Sequence, residues 1–272
     1  MRINNNIAAM NSYRNLETVN ERVDKTMEKL SSGQRINKAG DDAAGLAISE
    51  KMRGQVKGLS MGTKNAQDGI SMIQTAEGAL NESHSIIQRM RELAVQSSND
   101  TNTDSDRGKI QQEVDQLVKE IDRVASTTQF NTQVLMDGKL EKDGVLYHIG
   151  ANKDQNVNLK FKDMRADALG IQGIKMDKQT DANAAIATID TALEGISTER
   201  GKYGAMQNRL EHTINNLRVS GENIQAAESR IRDADMANEM VSLNKDKIIS
   251  QSGTAMLAQA NTSPQNVLQL LR

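Results

Sequence analysis

From about Asp42 to Ser98 the chain keeps one heptad frame. Met52, Val56, Leu59, Ala66, Ile70, Ile73, Leu80, Ile87 and Ala94 occupy it, and Thr63, Glu77, His84 and Arg91 are its polar interruptions. Apolar residues alternating at three and four positions mark an amphipathic helix. At ~1.5 Å per residue this helix is about 80 Å long. A second row, Met72, Ala76, Ala79, Ile86, Met90 and Leu93, lies beside the first. One seam describes a two-stranded coil, whereas two adjacent rows require contact with more than one helix. Gly54, Gly58, Gly62, Gly69 and Gly78 lower the intrinsic helicity, so the expectation is that they admit close neighbours.

The rest of the chain falls into order around this helix. A first helix is predicted from about Asn5 to Leu30, with Ile7, Met10, Tyr13, Leu16, Val23, Met27 and Leu30 on its apolar face. The polar run Asn99–Asp106 is a turn in which Ser105 or Asp106 can cap a third helix. That helix carries Ile110, Val114, Leu117, Ile121 and Val124 and ends near Thr128. A short connection favours antiparallel packing. From Phe130 to Phe161 the period changes: Val134–Met136, Val145–Ile149 and Val157–Phe161 read as short strands, the last two as a hairpin. The heptad returns from about Asp181 through Ile189, Leu193, Ile196, Tyr203, Leu210, Ile214, Leu217, Ile224 and Ile231. It shifts near Asp233–Asn238 and continues through Met236, Met240, Leu243, Ile249, Met256, Val267 and Leu270.

Leu30–Gly54 joins the first two helices. Ser31, Ser32 and Gly33 suit a turn better than a helix interior. Gly40 permits a bend, and Asp41 or Asp42 can cap the helix that follows. Leu30–Gly45 is therefore expected not to be regular helix throughout. The C-terminal shift lies at roughly the complementary place, which suggests two paired terminal helices with matched breaks.

Little here speaks for catalysis. His84, His148 and His212 have no partners at metal-ligand spacing, and phosphate-loop, dinucleotide and nucleophile-elbow motifs are absent. Asp41-Asp42 reads as a helix cap, and the methionines at core spacing read as packing. The net charge of −2, with basic residues interleaved among acids, gives no electrostatic case for nucleic acid. With no cysteine there are neither disulfides nor thiolate metal sites. No run approaches the ~18 apolar residues of a membrane span. The opening MRINNNIAAMNSY lacks the apolar region of a Sec-type signal peptide. Aromatics at 2% argue against an ordinary globular core and for long helices. Val267, Leu268, Leu270 and Leu271 are apolar; they pack on the first helix, on other subunits, or on both.

LSSGQRINKAGDDAAGLAIS at Leu30–Ser49 resembles the N-terminal signature of bacterial flagellin. NRLEHTINNL at Asn208–Leu217, AAESRIRDADMA at Ala226–Ala237 and QNVLQLLR at Gln265–Arg272 resemble that family's C-terminal region. The resemblance implies a mainly α fold: a long antiparallel coiled-coil or helical-bundle rod with a small β-hairpin and paired terminal helices. Residues 1–42 and 236–272 would form the terminal inner-core domain. Residues 43–235 would form the rod, with the hairpin at about 130–161 and no further outer domain.

The function implied is that of a non-enzymatic subunit polymerising into an extracellular flagellar filament for motility, exported without a cleaved signal. Its implied partners are other copies of itself, an export chaperone at the C-terminus, filament-cap and hook-junction proteins, and a host Toll-like flagellin receptor. Neither nucleic acid, membrane insertion nor a cofactor is implied. Ile7, Met10, Leu16, Met256, Val267, Leu268, Leu270 and Leu271 are the expected subunit and chaperone interface. QRMRELAVQS at Gln88–Ser97 resembles the Toll-like receptor segment, with Arg89, Leu93 and Glu113 at the matching contact positions. Met27–Ile48 resembles the epitope of the plant flagellin receptor, although its first residues, MEK, depart from the common form. The alternatives are a hook–filament junction protein, which shares such terminal helices, and a coiled-coil signalling module.

Overall fold

The computed structural model describes residues 6–270, with side chains described for residues 6–263. In chain order the elements are α1 (Ile7–Ser32), α2 (Ala43–Ser97), α3 (Asp104–Thr127), β1 (Gln129–Phe130), β2 (Gln133–Val134), α4 (Lys139–Lys142), β3 (Val145–His148), β4 (Asn156–Leu159), α5 (Gln179–Arg232) and α6 (Met236–Leu270). The fold is mainly α, as the periodicity requires. The chain divides into two compact units, Met1–Gly54 with Asn223–Arg272, and Gln55–Glu222.

In the unit Gln55–Glu222 both rows expected on α2 reach the core. Ala66, Ile73, Leu80, Ile87 and Ala94 of the first row and Met72, Ala76, Met90 and Leu93 of the second are buried. They meet Ile110, Val114 and Ile121 of α3, and Ile189, Ile196, Tyr203 and Leu210 of α5. Leu135, Met136, Leu159 and Phe161 close the cluster from the β region, with the Phe161 and Tyr203 rings 5.5 Å apart. The start of α3 differs from expectation. Thr103, not Ser105 or Asp106, is the N-cap, and Asp106 completes a capping box from the third helical position. Arg107 ties this turn together: its Nε donates to the Ser97 carbonyl at 2.9 Å and its Nη2 to the Asn99 carbonyl at 3.2 Å.

The β region holds two hairpins. β3 and β4 pair antiparallel from Val145↔Leu159 to His148↔Asn156, the hairpin expected there. β1 and β2 are a shorter pair joined by Asn131 and Thr132, both at positive φ, as a two-residue hairpin turn requires. Leu135 and Met136, expected in a strand, instead leave β2 and are fully buried. The β3–β4 loop lies directly on α2. A Cβ added to Gly62 would sit 2.8 Å from the Ile149 carbonyl carbon, so only glycine admits this approach. Of the α2 glycines, Gly54 and Gly78 have no neighbour of this kind within 4 Å.

The other unit contains the joint. α1 ends at Gly33, in the left-handed region at φ 69°, whose N–H donates to the Lys29 carbonyl. The chain then runs beside the α5–α6 break. Gln34 and Asp233 form an antiparallel bridge, the Arg35 amide donates to the Arg232 carbonyl at 2.7 Å, and the Ala234 amide to the Gly33 carbonyl at 3.0 Å. Arg232 is buried; it donates from Nε to Gln34 Oε1 and pairs with Glu50. Ile36 is buried within the joint. The two aspartates have separate roles. Asp42 accepts from the Gly45 amide at 2.8 Å and caps α2, while Asp41 accepts from the Asn37 and Lys38 amides at 3.1 and 3.0 Å. The joint is thus an irregular segment, closed by its own side chains and clasped to the matching break.

Candidate assembly interface

α1 and α6 run antiparallel. Asn6 Nδ2 donates to the Ala260 carbonyl at 2.8 Å, Ser250 Oγ to Asn20 Oδ1 at 3.0 Å, Arg22 pairs with Asp246 at 3.1 Å, and Lys29 with Glu239 at 3.4 Å. The less exposed positions define a heptad seam on each helix: Ala9, Ser12, Leu16, Val19, Val23, Thr26 and Leu30 on α1, and Glu239, Leu243, Asp246, Ser250, Gly253, Leu257 and Ala260 on α6. About half of these are small or polar. A Cβ at Gly253 would stand only 3.3 Å from Leu16 Cδ1, so the helices are close there.

This seam corrects the expected rows. Of the apolar face predicted on α1, Leu16, Val23 and Leu30 lie in the seam, whereas Ile7, Met10, Tyr13 and Met27 do not meet α6. Ile7 is 61% exposed and Met10 62%, and Tyr13 and Met27 are also exposed. On α6, Met236, Met240, Val241, Ile248, Ile249 and Met256 are exposed, while Leu243 faces α1. The cause is steric. Small residues such as Ser250, Gly253 and Ala260 let the two backbones approach, leucines and valines complete the seam, and the other apolar side chains, methionines among them, flank it.

Of the eight residues expected at the interface, Ile7, Met10 and Met256 present free apolar surface. Leu16 is half-buried in the seam and serves the pair itself. The side chains of Val267, Leu268 and Leu270, and Leu271 altogether, lie outside the described residues. The expected receptor positions also separate. Arg89 Nε donates to Glu113 Oε1 at 3.1 Å on an exposed surface, and Arg89 Nη1 pairs with Glu92 at 3.0 Å. These carboxylates hold the guanidinium above its ordinary pKa. Leu93 is 2% exposed, inside the core, and is therefore not a surface contact.

A cleft of about 740 Å³ between α5 and the β region is lined by Glu141, Lys160, Lys162, Glu199, Lys202 and Tyr203, among others. Burial pushes the Tyr203 phenol above its usual pKa, away from any role as a base near neutral pH. Among the described residues, no three His, Asp or Glu side chains gather as metal ligands, and no helix is long and apolar enough to cross a membrane.

The family model for the bacterial flagellin N-terminal helical region matches residues 3–141, and that for the C-terminal helical region matches residues 186–271. A flagellin of Halalkalibacterium halodurans is 55% identical over 274 aligned residues, covering the whole of both chains. The flagellar filament 33 kDa core protein of Treponema phagedenis is 51% identical over 286 aligned residues, again covering both chains in full. Among solved structures, a protein of Vibrio parahaemolyticus described as flagellar hook-associated shares the fold. Its TM-score is 0.59 at 13% identity, over 71% of this chain and 100% of that one.

Proposed function

The chain belongs to the bacterial flagellin family, and from that premise we propose that the outward apolar rows of α1 and α6 are the surfaces by which its copies polymerise. The protein is a structural subunit of the extracellular flagellar filament and assembles with itself. Identity along the whole chain favours this over the junction-protein and signalling-module alternatives. One observation carries the interface reading: the α1–α6 seam is complete with small and polar residues plus leucine and valine, and leaves Ile7, Met10 and Met256 in water. A side chain of this size gains about 1.5–3 kcal/mol on full burial, and a neighbouring subunit provides it. Val267, Leu268, Leu270 and Leu271 belong to the same subunit and chaperone contacts in this reading. Residues 1–42 and 236–272 are then the terminal inner-core domain, and residues 43–235 the helical rod domain with its β-hairpin.

The variant M10E/M256E tests the interface. Its monomer is expected to keep the wild-type circular dichroism, while the concentration needed for polymerisation rises roughly tenfold or more, since a carboxylate is costly to bury unpaired. Filaments forming at the wild-type concentration would falsify the reading.

The remaining partners follow from the same premise. Before export, the C-terminal apolar residues need cover, which an export chaperone supplies. Cap and hook-junction proteins meet the two ends of the polymer, and export proceeds without a cleaved signal. No catalytic step, cofactor, nucleic acid or membrane insertion enters this function. The Arg89–Glu113 pair is the surface offered to a host Toll-like receptor, with Leu93 supporting it from beneath. Arg89→Ala is expected to weaken the response of receptor-reporter cells roughly tenfold or more, as interface arginines often do, without lowering the thermal midpoint. An unchanged response removes Arg89 from the contact.

A further inference from the structure

The chain contains 14 methionines, and their placement is uneven. Met72, Met90, Met136, Met164 and Met176 are buried, all in the unit Gln55–Glu222. Six others are 46% to 64% exposed, and five of these, Met10, Met27, Met236, Met240 and Met256, lie on α1 and α6. The sixth is Met61 on α2. None of the seam positions that join α1 to α6 is methionine; their larger apolar residues are Leu16, Val19, Val23, Leu30, Leu243 and Leu257. Branched side chains thus fill the fixed contact, and unbranched thioethers recur in the rows left for neighbours. A thioether suits a surface that must adapt to a neighbour, because it is flexible and polarizable. It is also the group an oxidant reaches first on a chain without cysteine.

We propose that Met10, Met27, Met236, Met240 and Met256 form a reversible oxidation site that controls assembly: a peroxide converts their thioethers to sulfoxides and so disables the free subunit. This rests on the interface reading above. In the step, a sulfur lone pair attacks one peroxide oxygen. The O–O bond breaks and an S–O bond forms. A proton passes to the departing oxygen, which leaves as water or, from an organic peroxide, as an alcohol. Sulfur loses two electrons and the peroxide gains them. The sulfoxide is polar, and a subunit interface would bury it where the thioether had packed. Polymerised subunits shield the same sulfurs, so the free subunit is the sensitive form.

The experiment treats full-length monomer and preformed filaments with hydrogen peroxide, maps oxidation by peptide mass spectrometry, and measures the concentration needed to polymerise. In monomer, the five sites and Met61 are expected to oxidise at least tenfold faster than the five buried methionines. The oxidised monomer is expected to need at least tenfold more protein to polymerise. Methionine sulfoxide reductases acting on both epimers, with a reductant, should restore assembly. A variant with leucine at the five positions, Met61 retained, should keep assembling after the same treatment. Oxidised wild-type protein polymerising normally, or no recovery after reduction, overturns the proposal. So does a leucine variant that assembles untreated and is then equally sensitive. If that variant does not assemble untreated, the reductase measurement decides. Filaments separate the two levels. Equal oxidation in filament and monomer defeats the interface reading itself. Protection in the filament, with normal polymerisation of oxidised monomer, defeats only the oxidation site.

Discussion

Single residues in the unit Gln55–Glu222 are fixed by what touches them, and periodicity alone does not say what that is. Gly58, Gly62, Gly69 and Gly78 on α2 look alike in the sequence, yet their surroundings differ. Gly62 faces the backbone at Ile149, where a Cβ would come within 2.8 Å, while Gly78 is exposed with nothing of that kind within 4 Å. Two identical substitutions should therefore have opposite signs. Gly78→Ala is expected to stabilise by about 0.5–1 kcal/mol, the helix-propensity difference alone. Gly62→Ala is expected to destabilise, because the contact is with backbone and no side chain can swing aside. Urea denaturation of both variants checks the pair, and a Gly62→Ala protein as stable as Gly78→Ala contradicts the packing described. Leu93 carries a related lesson. The receptor resemblance marks it as a contact, but the second apolar row of α2 already placed it among Met72, Ala76 and Met90. At 2% exposure its burial follows that row.

At the scale of elements, the long helices were legible because their apolar residues repeat over many turns, and the ends were legible where glycine or aspartate marks them. The joint shows both sides of this. A turn after Leu30 and an aspartate as the cap of α2 were readable, although α1 runs on through Ser31 and Ser32 to Gly33; which aspartate caps, and what the other does, depends on loop geometry. Arg232 was not readable as part of the joint, since its partners Gln34 and Glu50 lie nearly two hundred residues away in sequence. The Asn131–Thr132 turn lacks the Asn-Gly or Asp-Gly pair that signals a two-residue hairpin, so β1–β2 escaped notice. The α1–α6 seam was legible only in part: Leu16, Val23, Leu30 and Leu243 belong to it, but Ile7, Met10, Met27 and Met256, apolar at neighbouring turns, lie on a competing outward row. The joint also titrates. Asp41 lies below its ordinary pKa of 3.8, chiefly because the Lys38 and Asn37 amides donate to it, with Lys29 and Lys38 adding a weaker attraction. A depressed carboxylate contributes its full stabilisation above the unfolded-state pKa and loses it as pH falls through the lower folded value. The Asn37 and Lys38 amide resonances are therefore expected to move together in an NMR titration, with a midpoint below 3.8. Asp41→Asn should abolish that step while leaving the α2 cap at Asp42. A midpoint at or above the ordinary value would mean that these amide bonds do not favour the ionised form.

Considered as a whole molecule, the chain provides for its two units differently. Gln55–Glu222 contains a contiguous cluster of buried apolar side chains drawn from α2, α3, α5 and the β region. In the other unit, the buried side chains described on α1 and α6 are Val19, Thr26, Leu243 and Asp246, two of them polar. Ordering the backbone costs about 1–2 kcal/mol per residue wherever it occurs. A helix pair with so little burial therefore has less to offset that cost than the core does. Regions of this kind open at free energies below global unfolding, and binding that requires the ordered form raises the apparent stability by mass action. Polymerisation supplies such binding if the outward rows are its contacts. In the free subunit, amides of α1 and of α6 up to Ser263 are accordingly expected to exchange with deuterium far sooner than those of Ile73–Leu93 and Ile189–Leu210. In the filament the difference should narrow strongly. Deleting residues 261–272 should prevent polymerisation and leave the slow-exchanging amides of α2, α3 and α5 unchanged, because the core partners described for these helices all lie between Ala66 and Ile214. Strong protection of α1 and α6 in the free subunit would show that the pair is stable unaided. Filaments from the shortened chain would show that the last turns of α6 are dispensable for assembly.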